Sequence, residues 1–305
     1  MLVVLHQGAI GDFLLTLSVV GAVRQLLESA RVEVIASAAS ARWAAGRGII
    51  DRCHDPDSVG LHTLFVGDGP LDPRLSQLLR SATTVLSFLA GPDEAIHERL
   101  TTATAGRVIS VDPRPAPATL AAGTHVTEQW ATEIRRQGLA IGEPVPPLTS
   151  PLPAATQTRR AIIHPGSGGR SKCWPMESFF VLADALVGQG VRMAWMLGPA
   201  ECEPGNKTGA AVRQRAASTG EELIVEPDLA AAAEQIASCI LYIGNDGGMT
   251  HVAAATGIPT LAVFTATDPR VWRPLGENVT AIDARSRRGA RVSHILGRVR
   301  IVLNE

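Results

Sequence analysis

Between residues 141 and 153 the chain reads IGEPVPPLTSPLP, five prolines in thirteen positions. Proline lacks a backbone N–H and holds φ near −65°, so neither a helix interior nor a central strand runs through such a stretch. On both sides of it the chain alternates short apolar runs with longer segments of helical periodicity. The prolines therefore divide the sequence into two units of similar texture. The expected division is 1–150, then 151–285, with residues 286–305 as a final helical segment.

In the first unit, strands are expected at 2–6, 31–36, 63–66, 84–88 and 107–111. A helix is expected over 12–29, with an apolar stripe and a polar back. In the second unit, strands are expected at 161–164, 192–197, 223–225, 240–243 and 260–264. Helices are expected near 176–189, 207–219, 229–237 and 249–256, and one more in the last twenty residues. Alternating strands and helices predict mostly parallel sheets covered by helices on both faces. The 305 residues, 46% hydrophobic and 19% charged, are enough for two such cores.

Composition narrows the function by exclusion. The formal net charge is −1, so no global basic charge points to nucleic acid, and no nucleic-acid partner is expected. Of the 28 Lys and Arg residues only Lys172 and Lys207 are lysine, which singles out Lys172 because it falls inside a motif. The four cysteines are scattered and form no Cys-x-x-Cys pair, so neither a zinc site nor a disulfide framework is expected. The N-terminus has no basic n-region and no apolar run approaches the ~20 residues of a membrane span. A cytoplasmic protein is the expectation.

Three loops carry the chemistry, each joining a strand to a helix. The first is His6-Gln7-Gly8-Ala9-Ile10-Gly11-Asp12. Its glycines permit tight backbone geometry, and the helix start offers free N–H groups. It lacks the Gly-x-Gly-x-x-Gly fingerprint of dinucleotide binding. Asp12 also suits a plain helix-start role, where the dipole favours an acid. The second loop is His164-Pro165-Gly166-Ser167-Gly168-Gly169-Arg170-Ser171-Lys172-Cys173-Trp174-Pro175. Backbone N–H groups, two serine hydroxyls and Lys172 are donors suited to a phosphate. The third loop is Gly244-Asn245-Asp246-Gly247-Gly248-Met249-Thr250-His251. Gly247 and Gly248 would let a diphosphate approach the backbone at a helix N-terminus.

Taken together the motifs resemble those of glycosyltransferase family 9, the lipopolysaccharide heptosyltransferases. Gly8–Asp12 is similar to the family's opening Gly-Ala-Ile-Gly-Asp, and Lys172-Cys173-Trp174-Pro175 to its Lys-x-Trp-Pro. Asp246-Gly247-Gly248-Met249-Thr250-His251 is similar to its Asp-Thr-Gly-x-Ser/Thr-His. Phe264-Thr265-Ala266-Thr267-Asp268-Pro269 resembles Phe-Gly-Pro-Thr-Asp-Pro, and Leu197-Gly198-Pro199-Ala200-Glu201 resembles a Gly-Gly-Pro-x-Glu stretch. Gly247 replaces the family's Thr and Thr265-Ala266 its Gly-Pro. His6-Gln7 stands where Arg or a similar residue is common.

The resemblance implies a GT-B fold, two facing Rossmann-like domains with a C-terminal helix crossing back towards the first. It implies inverting, metal-independent transfer of heptose from ADP-heptose to an inner-core sugar of lipopolysaccharide, with no cofactor. By position Asp12 would be the general base, and Ser167, Gly168 and Lys172 would hold the diphosphate. Glu201 would reach the ribose. Asp246, Gly247, Gly248 and His251 would surround the donor's phosphates and sugar. The acceptor implied is an anionic glycolipid at the cytoplasmic face of the inner membrane. Peripheral contact there could involve Arg285, Arg287, Arg288, Arg291, Arg298 and Arg300. Another nucleotide sugar, or a non-catalytic sugar-nucleotide-binding homologue, fits the residues as alternatives.

Overall fold

The computed structural model describes residues 1–28, 31–44, 48–67, 69–146, 158–286 and 291–302. The chain separates into two compact units, Met1–Ser150 and Pro151–Glu305. Most of the proline-rich stretch, from residue 147 onward, lies outside the described residues.

The first unit runs β1 (Leu2–Leu5), α1 (Ile10–Leu26), β2 (Val32–Ile35), α2 (Ala38–Ala44), β3 (Arg52–His54), a 3₁₀ turn (Leu61–Phe65), α3 (Pro73–Ser81), β4 (Thr84–Ser87), α4 (Ala95–Ala103), β5 (Arg107–Ser110), α5 (Pro117–Ala122) and α6 (Val126–Arg136). Its strands form a parallel sheet in the order β3-β2-β1-β4-β5. β1 is central, and all four of its residues are fully buried. On one face Val3, Leu5 and Ile35 pack with Leu75, Leu79 and Leu100.

Two expectations fail in this unit. Residues 63–66 form no strand: Leu61 and Leu64, three apart, face the core, while Phe65 and Val66 are exposed. An i, i+3 pair buried from a left-handed Gly60 (φ +65°) selects a 3₁₀ turn over an extended run. The strand at the sheet edge is instead β3, whose polar Arg-Cys-His sequence carries no apolar alternation. Helix α1 has no polar back either. From Phe13 to Val23 its residues are buried, Thr16 and Ser18 included. The cover comes partly from Val145, whose N–H donates to the Ser18 carbonyl at 3.1 Å.

The second unit runs β6 (Thr158–His164), a 3₁₀ turn (Arg170–Lys172), α7 (Met176–Val187), β7 (Arg192–Leu197), α8 (Pro199–Cys202), α9 (Lys207–Thr219), β8 (Glu222–Val225), α10 (Leu229–Ala237), β9 (Cys239–Asn245), α11 (Gly248–Ala255), β10 (Thr260–Phe264), α12 (Pro269–Trp272), β11 (Val279–Asp283) and α13 (Val292–Val302). The sheet order is β11-β10-β9-β6-β7-β8, parallel throughout. Counted from β6, this is the doubly wound order 3-2-1-4-5-6 of a dinucleotide-type fold. The edge strand β11 went unread in the sequence. In α13, Ile295 and Val299 are buried in this unit's core together with Phe179, Leu182 and Leu186 of α7. Among the described residues no helix is long and apolar enough to cross a membrane.

Candidate functional site

In a doubly wound sheet the chain leaves the two central strands towards opposite sides, and a crevice opens beyond their carboxyl ends. The first unit has this switch point between β1 and β4, the second between β6 and β9. All three glycine-rich loops sit at switch points, the first after β1 and the other two side by side after β6 and β9.

After β1, the buried His6 ring lies 5.4 Å from the Phe13 ring. Burial lowers its imidazole to about 4, so the ring is neutral at pH 7. Gly8 N–H donates to His6 Nδ1 at 3.2 Å, which puts the ring proton on Nε2. Helix α1 has no side-chain cap, and Asp12 is the acid of its first turn, half-buried. The extended Ala9 (φ −65°, ψ 166°) precedes the helix.

The second unit's loops are tied to each other. Asn245, at the end of β9 and 1% exposed, accepts Trp174 N–H at 2.9 Å and donates to the Pro165 carbonyl at 2.7 Å. One side-chain amide thus closes both ends of the loop after β6. Ser167 Oγ donates to the Asp246 carbonyl at 2.6 Å. Lys172 Nζ lies 2.8 Å from Asp246 Oδ2, and Thr267 Oγ1 donates to the same oxygen at 2.5 Å. Thr265 Oγ1 donates to the Ser171 carbonyl at 2.9 Å. Gly247 caps α11 and Gly248 is its first residue, so the helix N-terminus opens beside Ser167. Gly168 and Gly169 border open space. His251 is buried inside α11.

Glu201, buried at the start of α8, forms a second polar group. Its Oε2 accepts Gly198 N–H at 3.1 Å and lies 3.7 Å from His164 Nε2. Burial pushes its carboxyl up, but His164 and the backbone donors outweigh burial and hold it below the usual carboxylate range. A Cβ on Gly166 would come within 2.3 Å of this carboxyl. Glycine at 166 is therefore a matter of contact rather than of φ.

The structure thus brings Ser167, Lys172, Asp246 and Gly247 together, with Gly166 set over Glu201. Asn245, His164, Thr265 and Thr267 join them; each lies inside one of the motifs, but none was given a role, because sequence alone does not show which side chains of a motif turn inward. Elsewhere, a cavity of about 440 Å³ in the first unit is lined by residues including Glu33, Arg52, His54 and Arg74. The buried Glu33 carboxylate lies there 2.9 Å from the Arg31 guanidinium and 2.6 Å from His54 Nε2.

Residues 141–294, just over half of the chain, match the sequence model of Glycosyltransferase family 9 (heptosyltransferase). The chain belongs to glycosyltransferase family 9. Among curated proteins it is 33% identical over 118 residues to lipooligosaccharide heptosyltransferase 2 of Haemophilus influenzae, covering 37% of this chain and 33% of that protein. It is 30% identical over 130 residues to lipopolysaccharide heptosyltransferase 3 of Escherichia coli K12, covering 39% and 34%. The matched stretch spans about a third of the length of these relatives. Among solved structures, E. coli ADP-heptose lps heptosyltransferase II aligns over 99% of this chain and 98% of its own, with a TM-score of 0.71 and 17% identity. A family 9 glycosyl transferase from Veillonella parvula aligns over 99% and 96%, with a TM-score of 0.70 and 16% identity. At that identity the likeness carries the fold. This family 9 chain has the α/β fold with two mostly parallel sheets that the GT-B expectation described.

Proposed function

We propose that this family 9 chain is an inverting, metal-independent glycosyltransferase that moves heptose from ADP-heptose to an inner-core sugar of lipopolysaccharide. The observation that carries the reading is the cluster at the β6/β9 switch point. There a lysine ammonium, a serine hydroxyl, open glycine backbone and a helix N-terminus converge where a diphosphate would leave. The curated relatives are heptosyltransferases, and the structure of E. coli heptosyltransferase WaaC holds ADP.

In the proposed reaction Asp12 takes the proton of an acceptor hydroxyl. The hydroxyl oxygen forms a bond to the sugar's anomeric carbon as the bond to the diphosphate oxygen breaks on the opposite face. ADP departs with the electron pair. Its new charge is met by Lys172, by Ser167 and by backbone N–H groups around Gly168, Gly247 and Gly248. Lys172 supplies cationic charge that a metal would otherwise bring. Glu201, anionic at neutral pH, is suited to accept hydrogen bonds from ribose hydroxyls. Asp246 keeps its second oxygen for a sugar hydroxyl, and His251 supports the first turns of α11.

The acceptor would be an anionic glycolipid at the cytoplasmic face of the inner membrane. Arg298 and Arg300 lie exposed on α13 and Arg291 just before it, while Arg285 is engaged by Asp283 and Asp268. Arg287 and Arg288 lie outside the described residues. Changing Arg291, Arg298 and Arg300 to Gln should weaken co-sedimentation with anionic vesicles, by up to about 1 kcal/mol per residue at low salt. Binding unaffected by the triple change would remove α13 from membrane contact.

The function is tested by thermal shift with ADP and UDP, and by transfer assays with and without EDTA. ADP at about 100 times its Kd should stabilise the fold by about 2.7 kcal/mol, and EDTA should leave turnover intact. Stabilisation by UDP but not ADP overturns the donor, and loss of turnover in EDTA overturns metal independence.

A further inference from the structure

The proposed donor site rests on the position of one ammonium group, and a segment outside the loops holds that group from both ends. Lys172 sits at the end of a 3₁₀ turn whose backbone is tied at Ser171 by the Thr265 hydroxyl, 2.9 Å away. At its tip, Nζ lies 2.8 Å from Asp246 Oδ2, the oxygen that also receives the Thr267 hydroxyl at 2.5 Å. Thr265 and Thr267 are two residues apart on the chain leaving β10. Asp268, just beyond, caps α12 by accepting Arg270 N–H at 2.9 Å, and so fixes the end of that segment.

The carboxylate of Asp246 is buried, 7% exposed, and stands where an anionic diphosphate is proposed to bind. A buried carboxylate beside a phosphate is unfavourable unless its charge is matched and its lone pairs are filled. Lys172 matches the charge, and Thr267 fills a lone pair without adding charge. An ammonium has three N–H donors. With one spent on Asp246, two remain for phosphate oxygens, and their direction follows from where Asp246 Oδ2 is held.

We propose that Thr265 and Thr267 are positioning residues for donor binding: together they set the backbone and the tip of Lys172 so that its two remaining N–H bonds meet the leaving diphosphate. The inference rests on the functional reading above for the identity of the ligand. The geometry of the clasp is independent of it. Thr267 acts through Asp246 and Lys172 and touches no substrate.

Because Lys172 and Lys207 are the only lysines, ¹⁵N-lysine labelling places just two side-chain Nζ signals in a spectrum. The test compares wild type, Thr267→Val, Thr267→Ser and Asp246→Asn, with ADP titrated calorimetrically and thermal midpoints recorded. Thr267→Val keeps the volume and removes the hydroxyl. It should move the Lys172 Nζ signal but not that of Lys207, and weaken ADP about five- to twentyfold, less than the roughly 10- to 100-fold of a whole hydrogen bond to a charged group because the hydroxyl acts through Asp246 and Lys172. In turnover assays the donor KM should rise while kcat changes little. Thr267→Ser should restore both the signal and the affinity. In the Asp246→Asn background Thr267→Val should have little further effect, since the carboxylate it serves is gone. A wild-type Lys172 signal in Thr267→Val, or ADP affinity that Thr267→Ser fails to restore, overturns the proposal. Should Thr267→Val fold poorly, Thr265→Val gives the same reading through the backbone end of the clasp. Wild-type protein that ignores ADP while Thr267→Val still moves the Lys172 signal overturns the functional reading and leaves the clasp standing.

Discussion

The loop after β1 and the loop after β6 leave the first strand of two sheets with the same winding, yet they are built in opposite ways. The first is a short turn held by a neutral imidazole, with the Phe13 ring beside it and a single carboxylate, Asp12, at the helix start. The second is long and is held by the amide of Asn245, the hydroxyls of Ser167 and Thr265, and an ion pair. Both sit where the winding reverses, and that geometry says only where a ligand can lie. Under the proposed function the side chains would divide the work: a carboxylate can take a proton and repels phosphate, whereas an ammonium among N–H donors suits phosphate and cannot act as a base while it is charged.

Substituting Asp12 tests that division most severely. Asp12→Asn keeps the shape and removes the base, so kcat should fall about 10²–10⁴-fold. ADP affinity measured by calorimetry should stay unchanged. Near-full turnover would return Asp12 to a helix-start role and dissolve the contrast.

Acid should separate the two loops by pH window. Above pH 6.5 His6 is neutral whether the chain is folded or not, and contributes nothing to pH dependence. As pH falls from 6.5 to about 4, the unfolded chain binds a proton that the buried ring refuses. Stability then drops by about 1.4 kcal/mol per pH unit, roughly 3 kcal/mol in all. Glu201 loses stability in the same direction but in a lower window. Its lowered carboxyl contributes stability above its unfolded value of 4.5, and this is lost only as pH falls below that. Urea unfolding across this range should show an acid loss that His6→Gln flattens. The same loss in the variant would mean that His6 does not govern this window.

Lys172→Ala should weaken ADP about 10- to 100-fold, as expected for one charge-assisted contact, and lower turnover as well. Because the charge meets phosphate before transfer and meets it more strongly as negative charge develops on the leaving diphosphate, binding and turnover should fall together. A change in kcat alone would move Lys172 from the binding half of the comparison to the chemical half.

The smallest contrast concerns the glycines. A methyl at Gly166 would come within 2.3 Å of a carboxyl that Gly198 and His164 hold in place. At Gly8 it would come within 2.8 Å of His6 Nε2, in an exposed turn. Overpacking of this kind costs about 1–3 kcal/mol. Gly166→Ala should lie towards the upper end and also weaken ADP, while Gly8→Ala should lie towards the lower. Equal effects in urea unfolding would mean that the two loops are equally rigid.

Much of this was legible in the residues alone. Apolar runs marked β1, β2, β4, β6, β7, β9 and β10, because strands buried on both faces must be largely apolar. The edge strands β5 and β8 were read as well, from Val108-Ile109 and Leu223-Ile224-Val225, whereas the edge strands β3, polar Arg-Cys-His, and β11 escaped, since an edge is half solvated and tolerates a sequence without an apolar run. Residues 63–66 had strand-like composition, but burial of Leu61 and Leu64 favoured the 3₁₀ turn. Helix α1 read as amphipathic from its stripe of apolar residues, and nothing local announces that Thr16 and Ser18 are buried or that Val145 meets the helix at the Ser18 carbonyl.

What the sequence by itself determined is the set of strand–glycine–helix junctions and the residue types they carry. Helix and strand periods, proline breaks and glycine turns are local, and a few neighbouring residues specify them. Which junctions meet was decided only by the tertiary structure. Asn245 reaches Trp174 across 71 positions and Pro165 across 80, and Thr265 reaches Ser171 across 94. Those contacts exist because the sheet places β9 beside β6 and β10 beside β9. Strand order is fixed by how whole apolar faces pack, so no single stretch of residues encodes it.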